Sequence, residues 1–224
     1  MKQIPLPIAS APAPTFESYL AGVNGAALAQ AMRLGAGAPP LYLWGPPGSG
    51  KTHLLRALAD RTQREGGRVA WFDAGQALPW AHDEAAAGLV VLDDCDRYDA
   101  AQQQAAFACF VQAATHGGAI AAAGRLPPVD LPLREDLRSR LGWGHVFGLQ
   151  PLAEPEVRAV LRREADRRGL FLCDEVMAYL LTRFERDLQH LMAQLDRLDR
   201  YALVTKRAPT LPLLRQMLAE ETAS

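Results

Sequence analysis

The sequence has few cysteines, and they form no pattern. Of its 224 residues only three are cysteine, and Cys95, Cys109 and Cys173 show neither a C-x-x-C pair nor a Cys/His spacing typical of zinc. We therefore expect small, buried, reduced thiols and a cytoplasmic protein. No segment is apolar for long enough to cross a bilayer, and the first residues lack the apolar core of a secretory signal, so we expect no membrane partner.

The sequence also has little net charge. Its 24 Lys and Arg nearly balance its 25 Asp and Glu, which gives a formal net charge of −1. Proteins that coat nucleic acid through bulk charge are strongly basic, so this class is disfavoured. Hydrophobic residues make up 49% of the chain, which is enough for a core, and the length suits one ordinary domain with a smaller one.

What the sequence does contain is an intact G-x-x-x-x-G-K-T phosphate loop between an apolar strand (41–44) and an amphipathic helix (53–59). Its glycines let successive N–H groups point inward, and the following helix directs its positive end at bound phosphates. This pattern predicts an ATP or ADP site with Mg²⁺. The candidate ligands are Gly45, Pro46, Pro47, Gly48, Ser49, Gly50, Lys51, Thr52 and His53.

Two side chains of the loop have separate expected tasks. Lys51 would supply a positive charge to the β- and γ-phosphates, and the Thr52 hydroxyl would contact Mg²⁺. The alternative, a chance glycine-rich turn, would not explain the strand before the loop and the helix after it.

A second acidic motif follows an apolar run. Residues 88–92 predict a buried strand that ends in Asp93 and Asp94. In a phosphate-loop ATPase, Asp93 would hold the Mg²⁺ water shell, and Asp94 could orient or deprotonate an attacking water. The alternative is a strand that ends at a solvated acidic turn.

The remaining pattern divides the chain into three parts. Residues 15–150 alternate predicted helices and strands, with strands at 68–73, 119–123 and 145–149, a helix at 100–116, and Asn24 as the N-cap of an earlier helix. Residues 151–224 predict a small all-helical domain, with Asp174 capping its second helix and Leu188, Leu191, Leu195 and Leu198 at helical spacing.

Residues 1–14 predict an extended tail, because four of them are proline. The tail carries the apolar residues Ile4, Leu6 and Ile8. It either packs on its own domain or acts as a short linear motif that binds a partner as an extended strand.

An α/β core with a phosphate loop and an Asp-Asp motif, followed by a small helical lid, resembles the AAA+ ATPases. The resemblance implies a parallel sheet flanked by helices. Within that class the chain resembles the bacterial replication initiator DnaA and its relatives. Three stretches carry this likeness: the apolar run ending in Asp93-Asp94, the segment Leu137-Arg138-Ser139-Arg140-Leu141-Gly142-Trp143-Gly144, and Arg186-Asp187-Leu188.

The resemblance implies roles for two arginines. Arg140 would be the arginine finger that reaches the nucleotide of a neighbouring subunit, and Arg186 the lid arginine that touches the γ-phosphate of its own. The alternative for Arg140 is a surface arginine paired with Glu135 and Asp136. The alternative for Arg186 is a solvated helix arginine paired with neighbouring acids.

The layout, an ATPase module with a proline-rich tail, resembles the Hda family of DnaA regulators. Gln3, Ile4, Leu6 and Pro7 are similar to the peptide that such proteins insert into the sliding clamp of DNA polymerase III. The resemblance implies a negative regulator of replication initiation, which stimulates hydrolysis of DnaA-bound ATP by supplying Arg140 in trans. It would meet DNA only through the clamp, and a homo-oligomer is possible.

One departure and several rival functions remain. The AAA+ strand ending near Ala123 usually presents a polar residue to the γ-phosphate, but here Ala122, Ala123 and Gly124 precede Arg125. We therefore expect weak intrinsic hydrolysis. The rivals are an autonomous ATPase that loads a helicase, as DnaC- and IstB-like proteins do, an initiator paralogue, and a scaffold that binds the clamp without reaching a partner's active site.

Overall fold

The structure, a computed structural model, describes residues 14–80, 88–183 and 188–222. The chain divides into two compact units. We call residues 1–46 with 50–150 the α/β unit, and residues 47–49 with 151–224 the helical unit. Within the described ranges, no helix has the length and apolar character needed to cross a membrane.

The α/β unit is built on a parallel sheet of five strands. They are β1 (Leu41–Trp44), β2 (Val69–Phe72), β3 (Leu89–Leu92), β4 (Ala119–Gly124) and β5 (His145–Gly148). Their order across the sheet is β2-β3-β4-β1-β5, and every pair is parallel. The predicted fold class, a parallel sheet flanked by helices, is confirmed.

Helices cover both faces of this sheet. The helices are α1 (Gly25–Arg33), α2 (Lys51–Arg64), α3 (Ala100–Thr115) and α4 (Glu135–Trp143). Alternate residues along a strand enter different cores: Leu41 and Leu43 pack with residues of α1 and α2, whereas Tyr42 packs with residues of α3 and α4. Burial on both faces explains why the central strands β1, β3 and β4 read as continuous apolar runs.

Local signals fix the ends of α3 close to where the sequence predicts them. The Asp99 carboxylate accepts from the Gln102 N–H at 2.8 Å, and the Gln102 side chain accepts from the Asp99 N–H at 3.0 Å, which is a capping box. The helix ends before Gly117, whose φ of 72° suits a glycine after a helix.

The helical unit consists of four helices around a leucine-rich core. They are α5 (Glu154–Arg167), α6 (Asp174–Arg183), α7 (Leu188–Thr205) and α8 (Leu211–Thr222). Leu191, Leu195 and Leu198 are fully buried, as the helical spacing predicts. An ionic network joins α5 to α7, because Arg168, just beyond the end of α5, contacts both Glu164 and Asp196.

Of the two predicted helix caps, Asn24 stands at the N-cap position of α1 without a capping bond, and Asp174 lies one position inside α6. Asn24 precedes α1, but its side chain makes no capping bond; its amide donates to the Gln150 carbonyl at 2.8 Å and accepts from the Gln150 N–H at 2.9 Å. Asp174 is the first residue of α6 and pairs with Arg162 instead of capping the helix from outside. In both cases the side chain bonds a partner distant in sequence.

Candidate nucleotide site

The candidate site lies where β1 ends and α2 begins. The chain leaves β1 at Trp44, passes through residues 45–50, and enters α2 at Lys51. Gly48 has a φ of 75° and Gly50 a φ of 93°, in the left-handed region that side chains disfavour. These two glycines allow the tight loop that directs N–H groups towards an anion, and the N-terminus of α2 adds its positive end. Pro47 and Ser49 lie within the loop.

Lys51 is held inside this loop. Its ammonium donates to the carbonyls of Gly45 at 2.8 Å and Pro46 at 2.9 Å, and the residue is only 7% exposed. Burial lowers the pKa of Lys51, although the carboxylates of Asp94 and Asp93 act in the opposite direction. A buried ammonium surrounded by loop carbonyls is the group that a bound phosphate would stabilise.

Thr52 and Asp93 meet as a pair suited to a magnesium ion. The Thr52 hydroxyl donates to the Asp93 carboxylate at 2.9 Å, and Asp93 is buried at the end of β3. Burial raises the pKa of Asp93, while the bond from Thr52 opposes this change. A hydroxyl and a carboxylate side by side fit Mg²⁺, which prefers few protein ligands together with phosphates and water. Within the described ranges, no group of three or more His, Cys, Asp or Glu residues is placed to hold a metal ion.

Asp94 has an unusual backbone. Its φ of 49° is left-handed for a residue with a side chain, and its N–H donates to the Asp93 carboxylate at 3.0 Å. Its own carboxylate lies 3.7 Å from the Arg97 guanidinium. Such strained conformations concentrate at functional sites. The predicted role of Asp94 in orienting water stays a prediction.

His53 faces a segment that precedes the sheet. Its Nε2 lies 3.0 Å from the Thr15 carbonyl and 3.2 Å from the Ser18 hydroxyl, and burial lowers the pKa of the ring. Because the carbonyl can only accept, Nε2 donates to Thr15. Tyr19 packs edge-on against this ring at 5.3 Å. The Nε2 atom of His53 is thus already bonded to this segment. The role of His53 as a nucleotide ligand stays a prediction.

The structure brings together residues beside the site that belong to none of the sequence motifs. Tyr42, fully buried in β1, donates its hydroxyl to the Leu126 carbonyl at 2.7 Å. A Cβ built on Gly124 would lie 2.5 Å from that hydroxyl oxygen. The Tyr42 side chain thus occupies the space that a side chain at the end of β4 would need. The sequence does contain one signal for this contact, a tyrosine within an apolar strand. A buried tyrosine hydroxyl requires a hydrogen-bond partner.

Arg140, the predicted finger, lies on α4. Its guanidinium carbon is 5.1 Å from the centre of the Phe107 ring and 5.6 Å from that of Phe110. The acids considered as its partners are used by neighbours, since Glu135 pairs with Arg138 and Asp136 with Arg134. The alternative of an arginine paired with those two acids therefore does not describe Arg140.

The remaining predicted residues lie outside the described part of the chain. They are Arg186 in the helical unit and the tail residues Gln3, Ile4, Leu6 and Pro7. Their roles stay predictions.

Comparison with known proteins adds a family match and a fold. Residues 154–218 match a family model described as "Hda, lid domain". Domain III of the replication initiation protein DnaA from Thermotoga maritima superposes with a TM-score of 0.76 at 22% identity, over 94% of this chain and 97% of that one.

Two longer proteins show the same fold. AMPPCP-bound DnaA from Aquifex aeolicus has a TM-score of 0.66 at 21% identity, over 83% of this chain and 65% of that one. The Thermotoga maritima RuvB Holliday junction branch migration motor has a TM-score of 0.59 at 17% identity, over 85% and 64%. This chain therefore spans just under two thirds of those proteins. At such identities the likeness shows the fold.

Proposed function

We propose that this chain, an AAA+ module related to Hda and DnaA, is a negative regulator of replication initiation that acts on ATP-bound DnaA. The observation that carries the proposal is the match of the lid residues 154–218 to the Hda lid model, together with a DnaA-like fold. The lid match and the fold support the more general description of an AAA+ protein associated with replication. The regulatory partner, the clamp and the arginine finger are the parts that need testing.

Arg140 is the proposed point of action on DnaA. It is exposed, and within the described residues its carboxylate neighbours Glu135 and Asp136 are paired elsewhere. The rings of Phe107 and Phe110 support the guanidinium without neutralising it, because a cation–π contact leaves the donors available. A guanidinium supplied in trans stabilises charge on the transferring phosphate and is worth about 10³–10⁵ in rate.

The chain's own site is proposed to hold ATP or ADP with Mg²⁺. The bound nucleotide would set the conformation of the chain and would not fuel work. Lys51 and the N–H groups of the loop would hold the phosphates, and Thr52 and Asp93 would hold the ion, which supplies charge neutralisation. Weak intrinsic hydrolysis follows from Gly124, which has no side chain to offer a terminal phosphate and no room for one beside Tyr42. Asp94 is proposed to orient water in that slow reaction.

The tail is proposed to act as a tether. Gln3, Ile4, Leu6 and Pro7 would insert into the DNA polymerase III sliding clamp, which encircles DNA after synthesis has begun. A tether raises the local concentration of the ATPase face near DnaA on the same DNA without adding a contact to DnaA itself. The tail therefore determines where the protein acts, and Arg140 determines what it does.

A pair of arginine variants tests the finger. Single-turnover hydrolysis of DnaA-bound ATP is measured with DNA-loaded clamp, using wild type, Arg140→Ala and Arg138→Ala. Arg138 lies on the same helix and is paired with Glu135, so it controls for loss of charge on α4. We expect stimulation by wild type and Arg138→Ala, and none by Arg140→Ala, with DnaA binding retained in all three.

Two results would contradict the proposal in different ways. Equal stimulation by all three proteins would remove Arg140 from the mechanism and leave a scaffold. No stimulation by wild type would remove the regulatory function, and helicase-stimulated or DNA-stimulated turnover by the chain itself would then favour the loader.

A further inference from the structure

The first turn of α2 presents three successive side chains to three different surroundings. Lys51 donates to carbonyls of the phosphate loop, and the Thr52 hydroxyl donates to the carboxylate at the end of β3. His53 instead faces residues 14–24, which precede α1 and which we call the strap; its Nε2 lies 3.0 Å from the Thr15 carbonyl. Because successive helical residues point about 100° apart, this one turn contacts the loop, the magnesium pair and the strap.

The strap also lies against the phosphate loop itself. The Tyr19 ring packs edge-on against the His53 ring, with 5.3 Å between the ring centres. A Cβ built on Gly50 would lie 2.8 Å from Cε2 of Tyr19, so the Tyr19 ring occupies space that only a glycine leaves open. The strap therefore touches both the last residue of the loop and the first turn of α2.

Two contacts hold the strap at places away from the loop. The buried Asn24 side chain exchanges two hydrogen bonds with the backbone of Gln150, the last residue of the α/β unit. The Phe16 ring centre lies 5.6 Å from the guanidinium carbon of Arg61, in the last turn of α2. Neither contact involves the first turn of α2, so both can persist when the bond from His53 to the strap breaks.

The His53 ring has a single N–H to offer. Burial lowers the pKa of His53, although its bond to Thr15 opposes this change, so the ring is neutral above pH 7. A neutral imidazole has one N–H, and here it is on Nε2, because the Thr15 carbonyl can only accept. The other ring nitrogen is an acceptor and does not attract a phosphate. The side chain is therefore suited to hold the strap.

We propose that His53 is a positioning residue that holds the strap against the phosphate loop, so that nucleotide binding and strap closure strengthen each other. A bound phosphate would fix the loop and the first turn of α2, and with them the donor that Thr15 needs. The coupling is reciprocal: nucleotide favours the closed strap by the same factor by which the closed strap favours nucleotide. This inference rests on the proposed nucleotide site, and it names the segment whose conformation the nucleotide would set.

The test measures hydrogen exchange of the full chain by mass spectrometry, with and without saturating Mg²⁺ and ADP, and ADP affinity by isothermal titration calorimetry. In wild type, ADP is expected to slow exchange in the strap by about two- to tenfold, as for one hydrogen bond. His53→Leu has no donor, so it is expected to abolish this slowing and to weaken ADP binding by a similar factor. Protection of residues 45–52 by saturating ADP is expected to persist.

Three further variants sharpen this comparison. His53→Gln keeps an N–H donor and is expected to recover most of both effects. His116→Leu is the matched control, because the His116 ring bonds the Gln112 carbonyl of its own helix at 2.9 Å, and it is expected to behave as wild type. Tyr19→Leu alters the strap side of the same contact and leaves α2 unchanged; it is expected to reduce the slowing even if His53→Leu does not fold. Circular dichroism melting shows whether each variant is folded.

The outcomes separate this inference from the proposed function. Strap exchange that ADP leaves unchanged in a wild type that binds ADP would overturn the coupling while leaving the nucleotide site intact. A His53→Leu protein that binds ADP weakly, yet still protects its strap as wild type does, would make His53 a ligand only and would also overturn it. A folded wild type that binds no ADP would overturn both the coupling and the site. Stimulation of DnaA by Arg140 is a separate measurement and depends on none of these results.

Discussion

The two units of this chain use buried polar groups differently. Among the described residues, the α/β unit buries the charged groups of Lys51 and Asp93 at its candidate site. Within residues 151–183 and 188–222, the buried residues of the helical unit are apolar except for Gln194, and its ion pairs, such as those of Arg168 with Glu164 and Asp196, lie outside this core. Burying a charge costs free energy even when the group is hydrogen-bonded, as Lys51 and Asp93 are here. Among the described residues, the buried charges therefore lie at one edge of the α/β unit, where the candidate site is.

The largest expected effect separates function from stability in the α/β unit. Lys51→Met should weaken nucleotide binding by about 100-fold, as for loss of a buried charge contact. It should lower the free energy of unfolding by no more than about 1–2 kcal/mol, because loss of the bonds to the Gly45 and Pro46 carbonyls is offset by removal of a desolvated ammonium. Calorimetry and urea unfolding measure the two quantities. Lys206→Met in the helical unit makes the same chemical change and should affect neither; a large loss of stability in Lys51→Met alone would show that the ammonium is a structural group.

A second prediction tests the crowding beside the phosphate loop. Gly124→Ala should destabilise the α/β unit by about 1–3 kcal/mol, because its methyl group meets the Tyr42 hydroxyl. Gly25→Ala is the control, since an added Cβ there meets nothing within 4 Å. Tyr42→Phe in the Gly124→Ala background should recover part of the loss, as measured by urea unfolding. If Gly124→Ala were as stable as wild type, Tyr42 would not be filling that space.

A third prediction concerns the stability of the helical unit and does not involve the proposed action on DnaA. Hydrogen bonds from Arg167 and Arg168 hold the pKa of Glu164 down at about 2. The ionised carboxylate therefore stabilises the fold fully above its ordinary pKa of 4.5, and this contribution is lost as the pH falls from 4.5 towards 2. Glu164→Gln should cost about 1–2 kcal/mol at neutral pH and remove that part of the acid dependence.

The control for Glu164 is Glu154→Gln, because the contact between Glu154 and Arg158 is long, at 4.0 Å, and both side chains are more than a third exposed. It should change the unfolding free energy by less than about 0.5 kcal/mol. If Glu164→Gln kept the acid slope of wild type in urea unfolding between pH 2 and 5, the network at the end of α5 would not be stabilising the fold.

The smallest expected effect concerns the surface under Arg140. Phe107→Leu removes one ring from beneath the guanidinium and should reduce stimulation of DnaA by about two- to fivefold, since such contacts are worth about 0.5–1 kcal/mol. Val111→Ala, on the same helix and exposed, should have no effect. Loss of activity in both variants would point to a general disturbance of α3.

The elements and the loop were predictable because their signals are local. A glycine-rich loop between an apolar strand and a helix, and an apolar run ending in two acids, specify Lys51, Thr52 and Asp93 from sequence neighbours alone. Residues whose partners are distant in sequence were not predictable in this way. Asn24 reads as a cap but bonds Gln150, because tertiary structure brings that backbone within reach.

The same limit applies to the site's less obvious residues. Sequence spacing suggests Glu135 and Asp136 as partners for Arg140. In the structure these acids pair with Arg138 and Arg134. Arg140 instead contacts two aromatic rings. Tyr42 lies 82 positions from Gly124, and only the pairing of β1 with β4 brings them together. Contacts of this kind depend on strand order, which no local pattern specifies.

The most direct test of the account is a titration of ATP-bound DnaA, with DNA-loaded clamp, by three forms of this protein: wild type, Arg140→Ala, and a form lacking residues 1–8. If the tail is a tether and Arg140 the acting group, wild type accelerates hydrolysis of DnaA-bound ATP. Deletion of the tail then raises the concentration needed for half-maximal stimulation but preserves the plateau, whereas Arg140→Ala abolishes the plateau. A plateau unchanged in Arg140→Ala would contradict the account.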